Sequence, residues 1–185
     1  LINYALKDKN HRVHTTFLQT KTATTRLASI SPNLQNIPAR STLSNDLRSC
    51  FIAKDGFSLI SLDYSQIELR LLAHFSQDET LVNAFLNDED IHTQTALKIF
   101  GEISKEKRAI AKTINFGILY GMGQVKLAKS LKITNKEAKN YIESYFKAFP
   151  TVKNYLQSLE DEIFETGFVT TLFERKRYFN FKNAN

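Results

Sequence analysis

One cysteine, one methionine, three prolines and six glycines among 185 residues exclude several protein classes at the outset. Cys50 alone cannot close an internal disulfide, and no Cys/His spacing suits zinc, so neither a disulfide scaffold nor a zinc module is expected. No stretch approaches the roughly 18 consecutive apolar residues of a membrane span, and the opening LINYALKDKN lacks the apolar core of a secretory leader. A soluble, cytoplasmic protein with no membrane partner is therefore expected. Internal repeats and low-complexity tracts are also lacking. The first residue is Leu1 and the one methionine is Met122, which reads as part of a longer polypeptide.

What is present is an ordinary globular composition, 42% hydrophobic, with 25 basic against 19 acidic residues and a net charge of +6. That length and apolar content can bury a core for one domain or one and a half. The basic excess has the sign expected for a phosphate-rich partner, although many proteins that never touch nucleic acid share it.

Three stretches differ in pattern. Residues 1 to about 50, with Pro32 and Pro38 and many Thr, Ser and Asn, read as short strands and ordered loops. FIAKDGFSLISL, residues 51–62, reads as a hairpin turning at Asp55-Gly56, with residues 57–62 a buried apolar strand that runs into Asp63. From Ile67 onward apolar residues take helical spacing, with breaks near residues 76–79, 87–90, 101–104, 121–123, 134–135 and 149–150. Ser104 is placed to cap a helix running to about Tyr120, with Gly121 as its stop. The fold class expected is α+β, mostly helical, with a small antiparallel sheet.

Asp63 stands where that strand meets a helix, a position that holds a carboxylate rigidly. Magnesium takes one or two carboxylates and completes its shell with water and phosphate, so Asp63 is a candidate ligand; it is equally a candidate helix cap. Glu68 has a plain structural role open to it as well, since Ser65 and Glu68 have capping-box spacing.

In KEKRAIAKTINFGILYG, Arg108, Lys112, Phe116 and Tyr120 recur every fourth residue. Each step of four turns only about 40°, so the four share one slowly wrapping face about 18 Å long. Two cations near a helix N-terminus, where the backbone dipole is also positive, suit a triphosphate, and two rings beyond them can stack on a sugar or base. An amphipathic helix with a solvated basic side is the alternative. Ile110, Ile114, Gly117 and Ile118 lie on the other side and supply a packing face. An interior glycine costs about 1 kcal/mol relative to alanine, so Gly117 points to close packing or a functional need.

Taken in order, these segments resemble family A DNA polymerases of the bacterial DNA polymerase I type, over nearly the whole chain. DYSQIELR, residues 63–70, is similar to motif A of the palm, and RAIAKTINFGILYG, residues 108–121, to motif B of the fingers. SPNLQNIPAR, residues 31–40, resembles the segment that contacts primer and template, and DIHTQTA, residues 90–96, a nucleotide-contacting stretch. The resemblance implies a partial palm over residues 1–76 and fingers over residues 77–185. It implies template-directed transfer of deoxynucleotides to a primer 3′ hydroxyl, with primer-template DNA and deoxynucleoside triphosphates as partners, in a bacterial, nucleoid-associated enzyme.

It also implies roles. Asp63, with the backbone carbonyl of Tyr64, would ligate Mg2+ in a two-metal site. Arg108, Lys112 and His92 would hold the triphosphate, Lys112 also assisting pyrophosphate departure, and Ser65 and Gln66 would line the nucleotide site. Phe116 would pack on the nucleotide, and its being Phe rather than Tyr implies discrimination against nucleotides lacking a 3′ hydroxyl. Tyr120 would hold the template-base position before closure and, with Glu68, bar a ribose 2′ hydroxyl. Arg26, Asn33, Gln35 and Asn36 would contact the primer-template backbone and minor groove.

The chain departs from the family pattern in three places. Thr25 and Glu174 stand where the family usually has glycine, so a left-handed backbone there would be strained. The His-Asp-Glu motif C, with the second metal-binding carboxylate, is absent, since none of His11, His14, His74 and His92 precedes Asp. The chain alone is accordingly expected to be nearly inactive, and the sheet containing residues 57–62 to have an exposed edge through which copies could self-associate. A single-subunit RNA polymerase-like enzyme and a non-catalytic nucleic-acid-binding module remain the alternative readings.

Overall fold

Helices end where glycine, proline and capping residues interrupt the apolar spacing. The structure, a computed structural model, describes residues 1–38 and 42–180. Its elements run α1 (Ile2–Ala5), β1 (Thr16–Leu18), β2 (Ala28–Ile30), α2 (Thr42–Ser49), α3 (Ile67–Ser76), α4 (Glu79–Leu86), α5 (Ile91–Phe100), α6 (Lys105–Leu119), α7 (Gln124–Leu131), α8 (Asn135–Ala148), α9 (Pro150–Thr166), β3 (Phe168–Thr170) and β4 (Lys176–Tyr178). Mostly helical with two small antiparallel sheets is the observed class. No described helix is long and apolar enough to cross a membrane.

The chain divides into two units, Leu1–Leu62 with Thr170–Arg177, and Asp63–Val169 with Tyr178–Asn185. In the first, β1 and β2 pair antiparallel with Phe17 opposite Ser29. Ser29 is buried and its hydroxyl accepts from Leu34 N at 2.9 Å. Gln35 fastens the same loop with both ends of its amide: Oε1 accepts from Ser29 N and Nε2 donates to the Leu27 carbonyl, each at 3.0 Å.

The second unit is a helical body whose core gathers Leu69, Leu81, Ile91, Ile114, Leu127, Tyr145, Phe149 and Val152. α6 packs against α3, α5, α7 and α8, and α3 also packs against α4 and α9. Short polar residues start these helices by accepting from otherwise unpaired backbone N–H groups. Asp78 caps α4, Asp90 caps α5 and Ser104 caps α6, and a Thr134–Glu137 capping box opens α8. Asp78 also accepts from the Thr151 hydroxyl at 2.6 Å, tying the start of α4 to α9.

Four expectations are corrected. Residues 57–62 form no strand: the Lys54–Phe57 turn is present, but no described strand pairs with the residues after it, and their apolar side chains are exposed, Leu62 at 91%. The sheet edge expected there is therefore not formed among the described residues. α2 falls in a stretch expected to hold strands and loops, where TLSNDLRS contains neither glycine nor proline to stop a helix. The Ser65–Glu68 capping box is absent, because Gln66 in a left-handed conformation precedes Ile67 and offers no side-chain cap. Finally, residues 168–178, within the stretch read mainly as helices and after the last expected break, form the β3–β4 hairpin.

Candidate functional site

α6 carries the four-residue stripe because one side of the helix is committed to the core. Ala111, Ile114, Gly117 and Ile118 are buried, which leaves Arg108, Lys112 and Tyr120 on the exposed side and Phe116 half-buried between. Ser104 Oγ accepts from Lys107 N at 3.1 Å and fixes the start. Gly117 is explained by packing: a Cβ there would stand 3.3 Å from Met122 Sδ and 3.5 Å from Met122 Cβ. That tight turn returns the chain, with Met122 N donating to the Gly117 carbonyl at 2.7 Å.

The rings form a graded series along the helix. His92 and Phe116 lie 5.8 Å apart between centroids, and Phe116 and Tyr120 stack at 6.4 Å and 14°. The Tyr120 hydroxyl donates to Glu68 Oε1 at 3.4 Å, so the end of α6 meets the first turn of α3.

The cations differ in their surroundings. Arg108 pairs with Asp90 at 2.5 Å, whereas Lys112 has no ion-pair partner among the described residues. Burial raises the Asp90 carboxyl, but the Arg108 hydrogen bond and the Thr93 backbone N–H outweigh it and bring its pKa down to about 2. Arg108 is correspondingly held above its ordinary value.

His92 is only 4% exposed, and its Nδ1 lies 3.0 Å from Asn115 Nδ2. Burial, then the positive charges of Arg108 and Lys112, lower its pKa, with Asp90 acting in the opposite sense. Asn115 and Thr95 are fully buried and complete this network. Spacing in the sequence marks neither of them, nor Asp90, as a site residue. The available signal is a polar amide on the buried side of an otherwise apolar helix, between Ile114 and Phe116.

Asp63 and Tyr64 lie exposed, outside any helix or strand, just before the turn into α3. No cluster of three His, Cys, Asp or Glu side chains able to hold a metal occurs among the described residues. The donors at this place are one carboxylate and one backbone carbonyl, a set that fits magnesium completed by water and substrate phosphate, not an all-protein cage. Ser65 is exposed and its carbonyl accepts from Arg70 Nε at 3.0 Å, while Gln66 Oε1 is enclosed without a partner.

Of the four residues assigned to DNA, all lie in the first unit. Gln35 commits its amide to the chain itself, Asn33 Oδ1 accepts from Gln35 N at 2.9 Å, and Asn36 is exposed beside them. Ala39 and Arg40, at the end of SPNLQNIPAR, lie outside the described residues. Thr25, next to Arg26, has φ 60° and Glu174 has φ 61°, so both stand in the left-handed region.

A family model described as DNA polymerase family A matches residues 1–185. DNA polymerase I of Helicobacter pylori (strain ATCC 700392 / 26695) is 56% identical over 182 residues, which are 97% of this chain and 20% of that protein. The thermostable DNA polymerase I of Thermus aquaticus is 50% identical over 171 residues, 90% of this chain and 21% of that protein. Among solved structures, the POL domain of Pol1 from M. smegmatis, in complex with DNA primer-template and dNTP, matches with a TM-score of 0.88 at 38% identity, over 99% of this chain and 34% of that one. The chain spans about a fifth of the length of the curated relatives it matches.

Proposed function

The chain belongs to DNA polymerase family A, and on that premise we propose that it supplies the nucleotide-binding helix and one catalytic carboxylate of a polymerase that extends a primer 3′ hydroxyl under direction of a template. Residues 1–76 serve as part of the palm and residues 77–185 as the fingers. The observation that carries this reading is α6 itself, with two cations in its first turns, two stacked rings beyond them, and Tyr120 joined to Glu68 five residues after Asp63.

The reaction is an in-line phosphoryl transfer, in which positioning and charge stabilisation do most of the work. Arg108 and Lys112 hold the triphosphate, and Arg108 has donors to spare beyond the one that Asp90 takes. Lys112 Nζ neutralises charge as pyrophosphate leaves and can give it a proton. Phe116 packs on the sugar and base. Asp63 and the Tyr64 carbonyl would hold magnesium, whose chemistry is to ease ionisation of the 3′ hydroxyl and offset charge on the leaving group. Glu68 and Tyr120 close the space a 2′ hydroxyl would need. Ser65 and Gln66 line the nucleotide site, and Arg26, Asn33, Gln35 and Asn36 face the primer-template duplex.

The exposed apolar run of residues 57–62 is proposed as a pairing surface in its own right, available to a second copy of the chain. The catalytic reading is tested with Lys112→Ala in the full-length polymerase carrying this segment. Primer extension should lose about a hundredfold or more in kcat/KM for the deoxynucleoside triphosphate. An unchanged kcat/KM would remove α6 from the reaction.

A further inference from the structure

Asn115 makes no contact that the family resemblance assigns to it, yet it is wholly buried and is aimed at His92. Its Nδ2 lies 3.0 Å from His92 Nδ1 and 3.0 Å from Thr95 Oγ1. Thr95 Oγ1 has one proton and stands 2.8 Å from the Ile91 carbonyl, which can only accept, so the hydroxyl donates there. The second acceptor offered to it, Asn115 Oδ1, is farther away at 3.2 Å. Thr95 Oγ1 is thereby left to accept from Asn115, and the amide's two protons divide between Thr95 and His92. A donor pointing at Nδ1 requires a bare lone pair on that nitrogen, so a neutral His92 carries its proton on Nε2.

Nε2 is also the ring's free edge. It has no hydrogen-bond partner among the described residues, where the enclosed, unpartnered side-chain atoms are Gln66 Oε1 and Tyr145 Oη alone. The charged groups that act on the ring are Asp90 at the cap of its own helix and Arg108 and Lys112 from α6. α4 and α8, which also pack against α5, bring no such group among the described residues.

We propose that Asn115 is a positioning residue for nucleotide binding: it holds His92 as the Nε2–H tautomer, so that the ring presents a hydrogen-bond donor to the triphosphate beside Arg108 and Lys112. The inference rests on α6 being the triphosphate site. The opposite tautomer would turn a lone pair toward phosphate oxygens and repel them.

Two measurements test it. Long-range 15N–1H correlation spectra of the histidine-labelled chain at neutral pH, with His92 assigned by His92→Gln, should show Nε2 protonated and Nδ1 bare. A ring protonated on Nδ1, alone or on both nitrogens, overturns the proposal, and this reading needs no variant of Asn115. The second uses Asn115→Asp, whose carboxylate only accepts and so draws the proton to Nδ1. As an imidazolium the variant's ring still donates from Nε2; once neutral, it does not. In primer extension by the full-length polymerase, the ratio of variant to wild-type KM for a deoxynucleoside triphosphate should therefore be near one at about pH 6 and rise about tenfold by about pH 9. A ratio that does not change with pH means Asn115 is only a packing residue and overturns the proposal. Lys112→Ala separates the two levels: if it lowers kcat/KM while the Asn115→Asp ratio stays flat, the positioning role fails alone, and if it too leaves kcat/KM unchanged, the triphosphate site itself is lost.

Discussion

The Tyr120 hydroxyl reaches Glu68 Oε1 at 3.4 Å across 52 residues of sequence, joining the end of α6 to the first turn of α3, the helix that follows Asp63. On the proposed reading, this carboxylate and phenol occupy the space beside an incoming sugar. Removing one of them should open that space, so Glu68→Ala in the full-length polymerase should raise ribonucleotide incorporation relative to deoxynucleotide by about 10- to 100-fold. Competition primer extension reads this directly, and an unaltered preference would take Glu68 out of the gate.

Asp90 both caps α5 and engages Arg108, and the two roles can be separated. Asn caps as well as Asp, so Asp90→Asn keeps the cap and releases the cation. Because both partners are partly exposed, the pair is worth no more than about 1 kcal/mol. Triphosphate binding should therefore tighten about two- to fivefold in the variant. Calorimetric titration checks this; weaker binding would mean that Asp90 orients Arg108 rather than competing for it.

The same pair predicts an acid response. The Asp90 pKa is depressed from 3.8 to about 2, so its contribution to stability is complete above the ordinary value and is lost as pH falls through about 2. Carboxyl chemical shifts should place the Asp90 midpoint near 2 in the wild type. In Arg108→Ala the midpoint should rise toward 3.8, because the Arg108 hydrogen bond, which opposes burial most strongly, and the Arg108 charge are gone.

Thr25 and Glu174 hold left-handed φ angles of 60° and 61°, and Thr25 is β-branched. A side chain in that region costs free energy that glycine avoids. Thr25→Gly and Glu174→Gly should each stabilise the chain by about 1 kcal/mol, with Thr25 the larger. Chemical denaturation midpoints measure this, and a loss of stability in either would show that side-chain contacts outweigh the backbone strain.

Phe57, Leu59, Ile60 and Leu62 are all exposed in one short run. Sedimentation equilibrium of the chain should show association that strengthens with concentration, and Ile60→Lys should weaken it. A monomer at every concentration would count against pairing through this run.

Those residues also mark where sequence reading stops. Their apolar pattern predicts a buried strand, and the Asp55-Gly56 turn before it is present. A strand, however, draws its hydrogen bonds from another segment, and no described segment supplies them. A helix draws its bonds from within itself, so apolar spacing and caps locate α3 to α8 and the start of α9 to within a few residues, though not the end of α9 at Thr166. α2 is not legible in the same way, because its residues are mostly polar, like their neighbours.

The candidate site divides along the same line. Fourfold spacing alone places Arg108, Lys112, Phe116 and Tyr120 on one face, because a helix fixes that geometry without reference to anything else. Which partners those residues meet is left to tertiary packing. Asp90 beside Arg108, Asn115 against His92 and Glu68 under Tyr120 are 18, 23 and 52 residues apart in sequence. Contacts between separate helices depend on how their buried faces dock, and no local period encodes that. Local sequence is enough to set the helices and the face that carries cations and rings; the docking of α5 and α3 against α6 sets their ion-pair and hydrogen-bond partners.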